Sequence, residues 1–314
     1  MIAQNFIKIY ENSFKKNWDL PALSEYAEKT PTFHYQDLAK EIAKLHILFD
    51  ELNIQKGDKI SLIGKNNILW CVAYMAVITR GAVIVPILQD FNVESVHHIV
   101  NHSESKYLFT SDSIWETLQE EEMPDLLGIF SLTDWSSLSK KTDNNDIKQL
   151  DSKFAEKYPN GFTPDHIDYP EVDNSEIILL NYTSGTTGFS KGVMLTANNL
   201  AGNVTYAESL NLLFREQKLV SFLPLAHAYG CAFDFLYAMS AGVHTTLLGK
   251  IPSPQVIAQA FAEVKPDLII SVPLVLEKIY KKTILPQIEK PTVKFLLKIP
   301  GINGAIHKKI KDKL

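Results

Sequence analysis

The stretch NYTSGTTGFSKGVMLT, residues 181–196, contains six serine and threonine residues, three glycines and one lysine. It follows the apolar run Ile177–Leu180, which predicts a buried strand ending where the polar stretch begins. Glycines let backbone amides approach a ligand closely, hydroxyl groups donate hydrogen bonds, and lysine adds a compact cation. These residue types in this order predict a loop that binds the phosphate groups of a nucleotide.

The loop differs from a Walker P-loop, which reads G-x-x-x-x-G-K-[ST] and leads into a helix. Here Lys191 comes three positions after Gly188 and is followed by Gly192 and the strand-like residues VML. The order strand, loop, strand therefore argues against a P-loop NTPase. A flexible surface loop of the same composition is the alternative.

Composition limits the remaining function classes. The chain has 314 residues, of which 46% are hydrophobic and 21% are charged, as in a globular protein with a substantial core. A net charge of −5 does not favour nucleic acid as a partner. Cys71 and Cys231 form neither a disulfide framework nor a zinc-binding spacing. The N-terminus predicts an amphipathic helix rather than a signal peptide, so we expect a cytoplasmic protein.

Strand and helix patterns alternate along the chain. Strands are predicted at KISLIG, AVIVPI and KYLFTS, with helices between them, which indicates a parallel sheet. Residues 111–174 are predicted to form surface helices and loops. Alternation then resumes with predicted strands EIILLNY, LVSFLPL, VHTTLLG and DLIISVP. We predict an α/β fold of layered, mostly parallel sheets flanked by helices, with one subdomain over 1–170 and a second over 171–314.

The stretch YTSGTTGFSKGVMLT resembles the signature loop of the adenylate-forming superfamily, which includes acyl-CoA synthetases, luciferases and the adenylation domains of peptide synthetases. That pattern is close to [Y]-T-S-G-[ST]-T-G-x-P-K-G-V-x-L-[ST]-H. Ser190 replaces its proline and Ala197 its histidine. The matching residues are Thr183, Ser184, Gly185, Thr186, Thr187, Gly188, Lys191 and Gly192.

Three further stretches support the resemblance in the expected order. GDKISLIGKNNILWCVAYMAVITRGAVIVPI, residues 57–87, is similar to an N-terminal block of the superfamily. FLPLAHAYG, residues 222–230, is similar to the P-L-x-H-x-[FY] motif that lines the acyl pocket. IISVPLVLEKIY, residues 269–280, is similar to a stretch typical of long-chain fatty acyl-CoA ligases.

The resemblance implies a reaction of a fatty acid with ATP, Mg²⁺ and coenzyme A, through an acyl-adenylate. The loop 183–191 would hold the ATP phosphates, with Lys191 acting in catalysis and Thr186 near the metal ion. His227 would act as the second catalytic residue. The substrate pocket would include His227, Tyr229, Gly230 and Phe235.

The superfamily motifs Y-G-x-[TS]-E and T-G-D do not occur in this sequence. We therefore expect the incomplete N-terminal domain of an adenylate-forming enzyme, whose missing partner is the C-terminal half of the same protein. We also expect little or no ligase activity from the 314 residues alone.

Two alternatives to this function stay open. One is an adenylation domain for amino or aryl acids, which needs an acidic partner for a substrate amine. The stretch HAYGCAFDFLYAMSAG, residues 227–242, offers only Asp234 for this role. The other is a non-catalytic binding protein that keeps the ligase scaffold.

Residues 277–314 carry ten lysines against three acidic residues. That segment predicts either a solvated helical surface or peripheral contact with an anionic membrane.

Overall fold

The computed structural model describes residues 4–26, 31–141, 149–183, 190–249 and 253–291. The strands are β1 (Pro21–Glu25), β2 (Phe33–His34), β3 (Lys59–Ile63), β4 (Val83–Ile87), β5 (Tyr107–Thr110), β6 (Gly128–Ser131), β7 (Ile177–Thr183), β8 (Lys191–Thr196), β9 (Lys218–Ser221) and β10 (His244–Leu247). The helices are α1 (Phe6–Lys16), α2 (Tyr35–Glu51), α3 (Ile68–Thr79), α4 (Val93–His102), α5 (Asp112–Trp115), α6 (Leu150–Lys157), α7 (Ala197–Ser209), α8 (Gly230–Tyr237, with π-type winding, continued by Ala238–Ser240), α9 (Pro254–Val264) and α10 (Pro273–Ile279, continued by Tyr280–Ile284 and Leu285–Ile288).

The larger sheet has six strands in the order β6-β5-β3-β4-β7-β8. Every pairing in it is parallel except that of β7 with β8, which form an antiparallel hairpin. All five residues of β4 are buried, as expected for a strand whose sheet is covered on both faces. This architecture confirms the predicted α/β fold with mostly parallel sheets.

The smaller sheet has four strands in the order β2-β1-β10-β9. β1, β10 and β9 run parallel, and the short β2 pairs with β1 in the antiparallel sense. Each sheet therefore contains strands from both sides of residue 170. The division into 1–170 and 171–314 stays a prediction.

Two elements differ from those predicted. Residues 128–131, predicted to lie among surface helices and loops, form the fully buried edge strand β6. The segment DLIISVP forms only an isolated parallel bridge, between Leu219 and Leu268. The four residues of β6 are too few to give a periodic signal. For DLIISVP, an apolar run alone does not determine how many strand partners the segment has.

The main core joins residues that are distant in the sequence. The predicted amphipathic helix at the N-terminus is α1, which buries Phe6, Tyr10 and Phe14. Trp70 and Tyr74 of α3 pack with Phe235 of α8, at ring-centroid distances of 6.1 and 5.4 Å. The same core thus holds both sheets together. Within the described ranges, no helix is long and apolar enough to cross a membrane.

Candidate active site

The hairpin β7–β8 carries the cation of the predicted phosphate loop. Thr183, the last residue of β7, pairs with Lys191, the first residue of β8, and both are exposed. No described carboxylate forms an ion pair with the Lys191 ammonium group, so it is available to an anionic ligand. Five of the residues predicted to bind phosphate lie outside the described residues: Ser184, Gly185, Thr186, Thr187 and Gly188.

The hairpin begins at the carboxyl edge of the larger sheet. β4 runs parallel to β3 and to β7, with Ile84 paired to Leu179. The carboxyl ends of these three strands therefore lie at one edge of the sheet. Ligands of open α/β sheets bind at this edge, outside the carboxyl ends of the strands.

Tyr182 and Gly192 form the base of the hairpin. The two residues are paired across it, and the Tyr182 ring lies over Gly192. A Cβ atom added at Gly192 would lie 3.1 Å from Tyr182 Cζ and 3.3 Å from its hydroxyl oxygen. That hydroxyl group lies 2.7 Å from Nδ1 of His102, at the end of α4. A side chain at position 192 would therefore displace a ring that is already held.

The second predicted motif, residues 222–230, follows β9 and forms a tight turn at the start of α8, here called the His227 turn. The His227 amide donates to the Pro224 carbonyl at 3.0 Å, and the His227 carbonyl accepts from the Cys231 amide at 2.9 Å. The Tyr229 amide donates to Nδ1 of His227 at 3.4 Å, which leaves the proton of a neutral ring on Nε2. His227 is exposed, so that Nε2–H group can donate to a bound anion.

Gly230 ends this turn in close contact with its start. A Cβ atom added there would lie 2.6 Å from the Pro224 carbonyl oxygen and 3.2 Å from Cβ of Leu223. Backbone atoms cannot move aside cheaply, so the close approach requires glycine at this position. Gly230 is buried, and the contact explains the glycine through the shape of the turn.

An apolar groove of about 610 Å³ opens beside Tyr229. The Tyr229 ring is 40% exposed and lies 5.0 Å, between centroids, from the Phe233 ring one helical turn further on. Among the described residues, no charged side chain lines the groove. Its walls are Tyr206, Ala207, Leu210, Leu212, Tyr229, Phe233, Tyr237, Leu268, Ile269, Ile270, Ser271 and Leu276.

The other residues singled out in this region lie in the core. Phe235, predicted as a pocket residue, is 2% exposed and packs on Trp70 and Tyr74. Asp234 is fully buried, and both of its carboxyl oxygens lack hydrogen-bond partners among the described residues. Burial raises the pKa of Asp234 to about 8. Neither residue lines the groove.

Sequence reasoning assigned no role to several residues that support these loops. Tyr182 lies inside the quoted motif, but its partner His102 is 80 residues away, and no local pattern links them. Asn66 lies in the N-terminal block, residues 57–87, to which sequence analysis assigned no site residue. Its side-chain amide contacts the His227 turn across a sequence separation of 157 residues.

The chain is similar to known proteins in its sequence and in its fold. A family described as AMP-binding enzyme matches residues 10–302. The chain is 28% identical over 283 residues to probable acyl-activating enzyme 16, chloroplastic, of Arabidopsis thaliana, covering 87% of this chain and 38% of that protein. It is 27% identical over 249 residues to the long-chain-fatty-acid–CoA ligase FadD15 of Mycobacterium bovis, covering 78% and 39%.

One solved structure extends the likeness to the fold. The inhibitor-bound N-terminal domain of FACL13 from Mycobacterium tuberculosis superposes with a TM-score of 0.70 at 18% identity, covering 93% of this chain and 66% of that one. The chain spans 38% and 39% of the two curated relatives, so it corresponds to about two fifths of their length.

Proposed function

Since the chain belongs to the AMP-binding enzyme family, we propose that its protein activates a long-chain fatty acid with ATP and transfers the acyl group to coenzyme A. The observation that carries the proposal is the uncharged apolar groove beside Tyr229, two residues from His227. A groove of this composition suits an alkyl chain, because burying each CH₂ group contributes about 0.8 kcal/mol.

The β7–β8 hairpin would bind the phosphate end of ATP. Lys191 offers an exposed ammonium group at the carboxyl edge of a parallel sheet, next to the Thr183 end of β7. A hydrogen bond to a charged group contributes about 1.5–3 kcal/mol, so a lysine together with a few donors is enough to hold a polyphosphate. This role of Thr183 and Lys191, and that of Ser184–Gly188 between them, is part of the proposal.

The His227 turn would bind the carboxylate end of the fatty acid. With Nδ1 accepting from the Tyr229 amide, the neutral ring presents Nε2–H as a donor. Tyr229 continues from this donor into the groove. A carboxylate held by His227, which does not itself line the groove, would thus lie two residues from Tyr229, which does. Gly230 would contribute by allowing the turn, and Phe235 by supporting it from the core.

The reaction proceeds in two steps. A carboxylate oxygen attacks the α-phosphorus of ATP, and the bond from that phosphorus to the bridging oxygen breaks and releases pyrophosphate. The thiol of coenzyme A then attacks the acyl carbonyl carbon and loses its proton. AMP leaves with the electron pair of the broken C–O bond. Lys191 would stabilise the negative charge that grows on pyrophosphate in the first step.

Magnesium would enter together with ATP. In the part of the chain that the structure describes, no three His, Cys, Asp or Glu side chains converge on a common metal position. Thr186, proposed to lie near the ion, is outside the described residues. We propose that Mg²⁺ enters with the ATP phosphates, whose oxygens are ligands that this ion prefers.

The groove favours a fatty acid over an amino acid. An amino-acid substrate needs an anionic partner for its ammonium group, and Asp234 is the only acidic residue in this part of the sequence. Its carboxyl group is buried away from the groove, and its raised pKa of about 8 keeps it mainly protonated at neutral pH. It is therefore a poor partner for a substrate amine.

Displacement of a fluorescent fatty acid from the chain tests the acid site. We expect palmitate to displace the probe, and leucine and phenylalanine to have no effect. The Tyr229→Ala substitution should lower the affinity for palmitate at least tenfold. Leu127→Ala is the matched control, since Leu127 is also exposed but does not line the groove. Equal displacement by palmitate in wild type and Tyr229→Ala, or displacement by the amino acids, would contradict the proposal.

A further inference from the structure

We propose that Asn66 is a positioning residue for the turn that carries His227 and Tyr229. Its side-chain Nδ2 donates to the Leu223 carbonyl at 2.7 Å, and its Oδ1 accepts from the Leu225 amide at 3.0 Å. The two bonds fix the orientation of the amide, because the carbonyl needs a donor and the amide N–H needs an acceptor. Only an amide side chain of this length supplies both groups.

Asn66 is itself held by rigid surroundings. It follows β3, and the next residue, Asn67, caps α3 by accepting from the Trp70 amide at 2.6 Å. Asn67 also donates to the Leu132 carbonyl at 3.3 Å, after β6. The Ile68 amide donates to the Glu25 carboxylate at 2.8 Å, at the end of β1. Asn66 therefore reaches the His227 turn from a fixed point.

The contact joins the carboxyl edges of the two sheets. Asn66 follows β3 of the larger sheet, and Leu223 and Leu225 follow β9 of the smaller sheet. The phosphate hairpin begins at the same edge of the larger sheet as Asn66. Asn66 therefore sets where the His227 turn lies relative to the sheet that bears Lys191.

The turn transmits this position to His227. Its first half, which Asn66 binds, is fixed to its second half by the bond from the His227 amide to Pro224 and by the contact of Gly230 with the same carbonyl. Loss of the Asn66 amide would leave the Leu225 N–H and the Leu223 carbonyl without these partners. Two partly buried backbone groups would then favour rearrangement of the turn towards water.

Hydrogen exchange of the turn tests the positioning role independently of any activity. In Asn66→Ala we expect the Leu225 and His227 amides to exchange at least tenfold faster than in wild type. Asn67→Ala is the matched control: it loses a helix cap in the same β3–α3 connection but touches neither residue 223 nor residue 225. Unchanged exchange in Asn66→Ala, or equal acceleration in both variants, would overturn the inference.

The part that concerns binding rests on the proposed function. We expect Asn66→Ala to lower the affinity for palmitate at least tenfold and to leave the affinity for inorganic pyrophosphate unchanged. General destabilisation of the fold would lower both affinities. Asn66→Asp keeps the acceptor for Leu225 but loses the donor, so its affinity for palmitate should lie between that of wild type and that of Asn66→Ala. Asn66→Asp also serves as the test variant if Asn66→Ala does not fold. Equal loss of both ligands would overturn the inference.

The two hypotheses can fail separately. If the wild-type chain binds no palmitate, the proposed acid site is wrong, and hydrogen exchange alone then decides whether Asn66 positions the turn. If palmitate binds and Asn66→Ala leaves both exchange and affinity unchanged, the acid site stands and the positioning role is wrong.

Discussion

Asp234 lies in an environment that does not suit an ionised carboxyl group. It lies in α8 with no exposed surface, and neither carboxyl oxygen has a hydrogen-bond partner among the described residues. Burial raises its pKa from 3.8 to about 8. The nearby Ser221 hydroxyl and Leu223 backbone favour the ionised form, but they fall short of hydrogen-bond geometry and offset the burial only in part.

The contribution of Asp234 to the free energy of unfolding should therefore fall as pH rises between about 4 and 8. In this range the folded state keeps a proton on Asp234 that the unfolded state releases, so the free energy of unfolding falls by about 1.4 kcal/mol per pH unit from this group. Asp234→Asn removes this contribution. Urea unfolding at pH 5 and pH 8 measures the effect. The free energy of unfolding of the variant, relative to that of wild type, should be higher at pH 8 than at pH 5. A constant difference would contradict the assignment.

At the scale of elements, the β7–β8 hairpin depends on packing at its base. The Tyr182 ring is 4% exposed, lies over Gly192 and contacts His102 through its hydroxyl group. The family resemblance identified the loop of this hairpin, but not the ring beneath it. A contact between α4 and β7 depends on which strands become neighbours in the sheet, and local patterns do not determine that.

Substitution of Gly192 by alanine should disturb this base. The added Cβ would lie 3.1 Å from a buried ring that cannot move freely, so we expect a loss of about 1–2 kcal/mol in unfolding free energy and weaker pyrophosphate binding. Gly202→Ala in α7 is the control. Nothing lies within 4 Å of its added Cβ, and the helix should gain about 0.5–1 kcal/mol. Chemical denaturation of both variants measures these effects, and equal changes would contradict the packing argument.

The elements that sequence reasoning predicted correctly share one property. β4 is a continuous apolar run and β3 and β5 are mainly apolar, and each is followed or preceded by a helix with clear periodicity, so their local pattern is enough. β6 was missed because its four residues are too short for a pattern and become a strand only through pairing with β5. The apolar run at 267–273 was predicted as a strand, yet only Leu268 bridges to β9.

At the scale of the whole molecule, the two sheets share one core and meet at the candidate site. The predicted pocket residues near the His227 motif separate into two groups: Tyr229 faces the groove, and Phe235 packs against Trp70 and Tyr74 in the core. Spacing could not separate them, because the π-type winding of α8 changes which residues share a face. The side that a helix buries follows from the packed fold.

The two phenylalanines of α8 should therefore respond differently to truncation. Phe235→Ala leaves a cavity between α3 and α8 and should cost about 3–5 kcal/mol in unfolding free energy. Phe233→Ala removes a partly exposed ring that lines the groove, so it should cost much less stability and weaken palmitate instead. Urea unfolding and fatty-acid displacement measure the two effects. The opposite assignment would show that Phe235 is the pocket residue.

Binding of inorganic pyrophosphate by calorimetry at constant ionic strength tests the central claim most directly. We expect Lys191→Ala to lower the affinity at least tenfold and Lys191→Arg to retain part of it. Lys218→Ala should have no effect, because this exposed lysine lies at the amino end of β9. Unchanged pyrophosphate affinity in Lys191→Ala would contradict the claim that the hairpin holds the phosphate end of ATP.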